Sequence, residues 1–351
     1  MNLVGKTIGG KYKITDKIGT GGMATVYKGE HVYLKKPVAI KVLLPSFSEN
    51  KELVERFFQE AETASKLDHP NIVKIFDFGD EEGFLYLVMQ YIDGETLEKI
   101  LQSVKKLPLR DAINITLQVL SALDYAHEKG LVHRDIKPAN IMINKDGKAF
   151  LLDFGIAILA EAKRITKTKV AAGTPEYMAP EQFRGRADKR SDLYSVGVVL
   201  YEMITGRTPF GDAKDVYELQ YKILREPVPP TGISEALDKV LQKALSKLPS
   251  ERFQRAREFA EALLSLPEAE GLEYTVKKKT SISVPLVEEF EEEKDEGEKP
   301  KKITQFIELP EEEEFELEDK GFPWKLFITL AVLGLLILAA AMGLLWYFFA
   351  K

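Results

Sequence analysis

The chain has 351 residues, 45% of them apolar, a formal net charge of −6 and no cysteine. That length allows one large domain or two ordinary ones, and the apolar share is enough for a packed core. Disulfides and thiolate-bound zinc are excluded, and the four histidines (His31, His69, His127, His133) fall at no metal-ligand spacing.

The charge is unevenly spread. Between Glu288 and Lys320 there are sixteen acids and five bases, a net −11, so the remainder carries about +5. No nucleic-acid partner is expected. The opening "MNLVGKTIGGKYKITDKIG" contains no apolar run, so no signal peptide is read there. "GKT" at Gly5–Thr7 lacks the preceding strand and upstream glycine that a Walker A loop needs.

Residues 11–92 alternate apolar and polar in short runs, as in "KYKITDKIG" and "FLYLVMQYI", and read as strands. One helix interrupts them, Glu52 to Leu67. From about Thr96 helical spacing dominates, over Leu109–Lys129, Ser191–Thr205 and Ile233–Leu266. Strands followed by helices predict an α+β protein of two lobes, 11–92 and 93–267. Residues 268–323 are rich in Glu, Lys and Pro without periodicity and read as a linker lacking fixed structure.

Within the first lobe, "IGTGGMATVYKG" (Ile18–Gly29) places a glycine-rich turn between two strands, where backbone amides can approach phosphate oxygens. Alone, such a stretch is more often just a hairpin. "VAIK" follows at Val38–Lys41. Its lysine is either an edge-strand residue or a cation aimed at phosphate, which needs a carboxylate to hold it. On the predicted helix, Phe57, Glu60 and Ala64 share one face, so Glu60 is the acid on the inward stripe and the expected partner of Lys41.

In the second lobe, "IMI" and "KAFLL" flank "NKDG", a turn signal. Pairing of these two runs brings together Asn140, just before the first, and Asp153, just after the second. An amide oxygen beside a carboxylate suits Mg²⁺, which keeps waters and takes few protein ligands. Asp135 lies close enough to accept a proton from a hydroxyl at the same site, and Lys137 could neutralise a transferring phosphoryl group. A polar loop with ordinary turn residues would contain much the same letters.

Taken in order, the glycine loop, "VAIK", "HRDIKPAN", "DFG", "APE" and "DLYSVG" make the sequence resemble the eukaryotic-type serine/threonine protein kinases, over about residues 11–267. The resemblance implies a two-lobed kinase fold and ATP bound with Mg²⁺, or Mn²⁺ in its place. It implies that Ile18, Gly19, Thr20, Gly21, Gly22, Met23, Ala24, Thr25 and Val26 cover the nucleotide. Lys41 would hold the α- and β-phosphates and pair with Glu60. Met89 would back the adenine pocket, and Gln90, Tyr91 and Ile92 would form the hinge. Asp135 would be the catalytic base, and Asn140 and Asp153 the metal ligands. Glu181 would pair with Arg252. Lys137 and "GTPEYMAPE" match the serine/threonine class, with proteins bearing Ser or Thr as substrates. Two positions depart from the pattern: Ala24 stands where a third glycine is usual, and Tyr194 where a tryptophan is.

Between the DFG and APE motifs, Thr166 and Thr168 lie among Lys163, Arg164, Lys167 and Lys169. They read as autophosphorylation sites whose phosphate Arg134 would grip, or as part of a plain solvated loop. "GGMATVYKG" and the paired threonines resemble the bacterial membrane-anchored members of the family.

Leu326–Ala350 is 25 residues without charge, about 37 Å as a helix against a hydrocarbon core of about 30 Å. It reads as a single transmembrane helix. Trp324, Trp346 and Tyr347 stand near its ends, and Lys320 and Lys325 before it place the kinase part in the cytoplasm. With one residue after it, the span is expected to be a C-terminal anchor at the cell membrane rather than the stalk of a sensor. Ala339 and Gly343 offer a small-residue contact for self-association. Thr304, in "KKITQFIELPEEEE", is a candidate docking site for a phosphothreonine-binding partner. The rival class is a non-catalytic ATP-binding membrane scaffold, which loss of Lys41, Asp135 or Asp153 would favour, and none is lost. A small-molecule kinase on a related fold is the nearer rival, and "APE" speaks against it.

Overall fold

The computed structural model describes residues 2–21, 24–43, 51–81, 83–154 and 175–274. The predicted span at 326–350 and the acidic run from 288 to 320, with Thr304, lie outside them. Among the described residues no helix is long and apolar enough to cross a membrane.

The first lobe is a six-stranded antiparallel sheet built from β1 (Thr7–Ile8), β2 (Tyr12–Thr20), β3 (Ala24–His31), β4 (Pro37–Leu43), β5 (Ile75–Glu81) and β6 (Phe84–Gln90). Their order in the sheet is β1-β2-β3-β4-β6-β5. Strict alternation sorts the side chains. Val38, Ile40 and Val42 pack on one face with Tyr86 and Val88. Ala39 and Leu43 pack on the other with Leu85, Leu87 and Met89. Because β6 is covered on both faces, "FLYLVMQ" reads as an unbroken apolar run. The residues before β2 belong to this lobe too, since Leu3 and Ile8 are buried in the first of these clusters.

Helix α1 (Lys51–Ser65) covers the second face. Phe57, Ala61 and Ala64 point inward and are buried, at spacings of four and three. Burying the Phe57 ring alone contributes about 2–3 kcal/mol. Glu60 is half-buried at the edge of that stripe.

The second lobe opens with β7 (Gly94–Thr96), α2 (Leu97–Val104) and α3 (Leu109–Glu128). The predicted hairpin follows as β8 (Ile141–Asn144) and β9 (Ala149–Leu151), with β7 completing a second sheet in the order β7-β8-β9. Gly94 is required there, because a side-chain carbon would come within 2.1 Å of the Ile143 carbonyl oxygen. The turn is closed by Asn144, whose Oδ1 accepts from Asp146 N at 3.0 Å and Lys148 N at 2.8 Å.

Helix α4 (Lys189–Thr205) runs through the middle of this lobe and is buried nearly all round. Asp188 caps it, accepting from Arg190 N at 2.7 Å, so it starts two residues before the predicted Ser191. At Gly197 a side-chain carbon would sit 3.1 Å from Ala244, so the absence of one lets the segment carrying Ala244 approach. The chain continues through α5 (Val216–Arg225), α6 (Glu235–Ala244) and α7 (Ala256–Leu264). The helical stretch predicted over Ile233–Leu266 is therefore two helices. Pro249, which has no amide hydrogen to donate, opens a 3₁₀ turn between them. After α7, Leu272 and Tyr274 still pack on the lobe's core, and Arg110 Nη1 donates to the Glu270 carbonyl at 2.6 Å.

Candidate active site

The glycine hairpin forms as expected. Gly19 pairs with Val26 and Thr20 with Thr25, and Gly21 N donates to Ala24 O at 2.8 Å. Gly22 and Met23, at its tip, lie outside the described residues, and Ile18 is exposed. Ala24 is buried beside Leu43 in the inner cluster. Its methyl group is thus used for packing where the motif usually has glycine.

Register places Val26 opposite Lys41, and Ala39 opposite Met89. Val26, Lys41, Ala39 and Met89 therefore share the inner face of the sheet. Met89 lines a small cavity with Leu87, Leu151, Asp153 and Phe154. Gln90, Tyr91 and Ile92 follow as the crossing to the second lobe. These are the positions expected for the adenine pocket and hinge.

The Lys41 Nζ lies 2.7 Å from Asp153 Oδ2 in an ion pair. Burial pushes the Asp153 carboxyl up, but the charge and hydrogen bond of Lys41, with His133 and Lys137 nearby, outweigh it and hold the carboxyl below its usual range. Asp153 also has φ of 58°, in the left-handed region.

The β8–β9 hairpin does what its sequence promised. Ile141 pairs with Leu151, and Leu152 N donates to Asn140 O at 2.9 Å. Asn140 and Asp153 thus emerge side by side. Asn140 Nδ2 donates to Asp135 O at 2.7 Å and to Asp135 Oδ2 at 2.9 Å. Lys137 Nζ donates to the same Oδ2 at 2.8 Å. One oxygen of Asp135 is therefore fixed by two donors. The other is left to accept a hydrogen bond from a substrate hydroxyl, and the side chain is 39% exposed. Asn140 spends its amide nitrogen on Asp135, which leaves its oxygen for a cation.

Three supporting residues were not singled out from the sequence. Asp192, 1% exposed in the first turn of α4, accepts from His133 N at 2.8 Å, Arg134 N at 2.7 Å and His127 Nε2 at 2.8 Å. It thereby holds Arg134 at φ 67°. His133 bonds through Nε2 to Leu152 O at 2.6 Å, while its Nδ1 accepts from Asp135 N at 3.3 Å. It couples the loop carrying Asp135 to the strand leading into Asp153. The signal was available: an aspartate inside an apolar helix is costly unless it collects donors.

Glu181 and Arg252 pair as expected, in a two-pronged contact of 2.6 and 2.7 Å. Burial pushes Glu181 up, but its bonds to Arg252 and Ser191 prevail and keep it well below its usual value. Tyr194, in the usual tryptophan position, is buried with its ring 4.9 Å from the guanidinium carbon of Arg252. Thr166 and Thr168 lie outside the described residues.

Comparison with known proteins agrees with this arrangement. The protein kinase domain pattern matches residues 12–265. The chain is 36% identical over 349 residues to serine/threonine-protein kinase PrkC of Bacillus subtilis, covering 95% of this chain and 53% of that protein. It is 40% identical over 264 residues to serine/threonine-protein kinase PknB of Mycobacterium leprae, covering 72% of this chain and 42% of that one. The chain thus spans about half the length, or less, of the curated relatives it matches. The crystal structure of the PknI kinase domain of Mycobacterium tuberculosis superposes with a TM-score of 0.62 at 31% identity, over 75% of this chain and 98% of that one. With that pattern matched over most of its length, the chain belongs to the protein kinase family.

Proposed function

We propose that this chain is a serine/threonine protein kinase that transfers the γ-phosphoryl group of ATP to Ser or Thr hydroxyls of proteins. The observation that carries the reading is Asp135, with one carboxylate oxygen held by Lys137 and Asn140 and the other left to orient a hydroxyl. Asp135 accepts the hydrogen bond of the attacking hydroxyl, aims its oxygen along the line of transfer and takes up its proton. Lys137 faces the phosphoryl group as it moves and offsets its charge. Lys41 and the amides of the glycine hairpin hold the phosphates in place, and the hinge at Gln90–Ile92 receives the base. Asn140 and Asp153 offer two hard oxygen donors side by side, a set that fits Mg²⁺. When bound, such an ion neutralises phosphate oxygens.

The regulatory reading rests on Arg134. Among the described residues, its Nε is buried without a hydrogen-bond partner. A phosphate on Thr166 or Thr168 would supply one. The uncharged segment at 326–350 tethers the kinase to the cytoplasmic face of the cell membrane, through a linker that reaches about 40 Å as a coil. Tethering raises the local concentration of membrane-bound substrates and of a second copy of the chain. Phosphorylated Thr304 would offer a phosphothreonine-binding partner a place to dock.

Two assays test the reading. Labelled ATP and a Ser/Thr-containing protein, followed by phosphoamino-acid analysis, should give phosphoserine or phosphothreonine with the parent and none with Lys41→Met. Alkaline extraction of membranes should leave the full chain in the pellet and release a version cut before Trp324. Release of both would overturn the tether.

A further inference from the structure

Lys28 carries a charge that the catalytic scheme does not use. It lies on β3, two residues beyond Val26 and opposite Ala39. By strand alternation it therefore shares the face of the sheet that carries Val26, Ala39 and Lys41. It is half-buried and, among the described residues, makes no ion pair. Its ammonium instead sits over the ring of Tyr91, 4.8 Å from the centroid. Tyr91 is the middle residue of the hinge, and its ring packs against the inner-face cluster that includes Ala39 and Met89. The contact thus joins the second strand of the glycine hairpin to the crossing between the lobes.

We propose that Lys28 is a positioning residue for nucleotide. Through the Tyr91 ring it holds the strand that roofs the nucleotide site at a set height above the hinge. The inference rests on the kinase reading above. A nucleotide must be gripped from both sides, its base by the hinge and its phosphates by the hairpin and Lys41. Each part of that grip that is already in place reduces the ordering required on binding. Lys28 does not touch the reacting atoms, so its effect falls on nucleotide affinity rather than on transfer.

The hinge carries a second cation that serves as an internal comparison. Lys145, in the β8–β9 turn, reaches Asp93 at 2.6 Å. Both of those side chains are largely exposed, at 75% and 66%. Exposed pairs of this kind contribute little because water and salt screen them. A cation held on a partly buried ring keeps more of its attraction. Lys28 and Lys145 flank the same hinge, yet only the first should matter.

The test uses the full chain in detergent, with ADP and Mg²⁺ as the titrant and ATP kinetics alongside. Lys28→Met should weaken ADP binding and raise the KM for ATP by about two- to fivefold, the range that a cation–π contact of this exposure supports. The kcat should stay within about twofold. Lys28→Arg, which keeps a cation for the ring, should restore affinity, and Lys145→Met should leave it unchanged. Tyr91→Leu should weaken ADP binding, and adding Lys28→Met to it should weaken binding no further, because the two residues act as one contact. Unchanged ADP affinity in Lys28→Met would overturn the proposal. So would multiplying effects in the double variant, or failure of arginine to rescue. Absence of ADP binding by the parent itself would overturn the kinase reading on which the proposal stands.

Discussion

Arg252→Ala should cost far more than the loss of an ordinary charge. The Arg252 guanidinium is 0% exposed. It spends Nη1 and Nη2 on the two oxygens of Glu181, and it also donates through Nε to Ser246 O at 2.7 Å, through Nη1 to Arg190 O at 3.2 Å and through Nη2 to Lys247 O at 3.1 Å. Truncation leaves the Glu181 carboxylate with the Ser191 hydroxyl at 2.6 Å as its remaining side-chain partner, and it leaves three carbonyls short of a donor. Breaking a buried pair this way costs about 3–5 kcal/mol. For a folded part of this size, that lowers Tm by about 6–20 °C. Arg252→Lys keeps the charge but loses the planar fork, and it should fall between parent and alanine variant. Thermal and urea unfolding of the full chain, with activity measured below the transition, would check the size. An alanine variant within about 1 kcal/mol of the parent would refute the reasoning, since no described group could then be depending on the guanidinium.

Other outcomes follow from the same contacts. Asp192→Asn leaves one acceptor oxygen where two now serve three donors, so Arg134 should leave its left-handed conformation; kcat should fall about 100-fold with little change in KM for ATP, as steady-state kinetics would read. Lys247, whose Nζ donates to Ile223 O at 2.8 Å and lies 4.6 Å from the Phe210 ring centroid, is pulled down to about 8 by burial and by the charge of Arg252. Between about pH 8 and its ordinary 10.5 the unfolded chain binds the extra proton, so this residue makes stability rise with pH across that window. Urea titrations at pH 7.5 and 9.5 should therefore show the parent gaining on Lys247→Met as pH rises.

Much of this fold was legible because the patterns were local. Alternation fixed the strands of the first lobe, and the "NKDG" turn fixed the hairpin that brings Asn140 to Asp153. The Lys41–Asp153 contact was not legible, because the two residues stand 112 positions apart. Asp192 was missed for a related reason. It stands within a quoted motif, but its three donors come from residues 58 to 65 positions away. The break between α6 and α7 was readable from Pro249. Helix α5 announced itself only through Asp215, whose side chain caps it by accepting from Tyr217 N and Glu218 N.

The most direct test of the central claim is incubation of the full chain with Mg-ATP beside Asp135→Asn, with phosphorylated residues mapped by mass spectrometry. The account predicts phosphate on Thr166 or Thr168 in the parent and none in the variant, with both proteins unfolding at similar temperatures. Equal phosphate in the two, or none in a folded parent, would contradict the role given to Asp135.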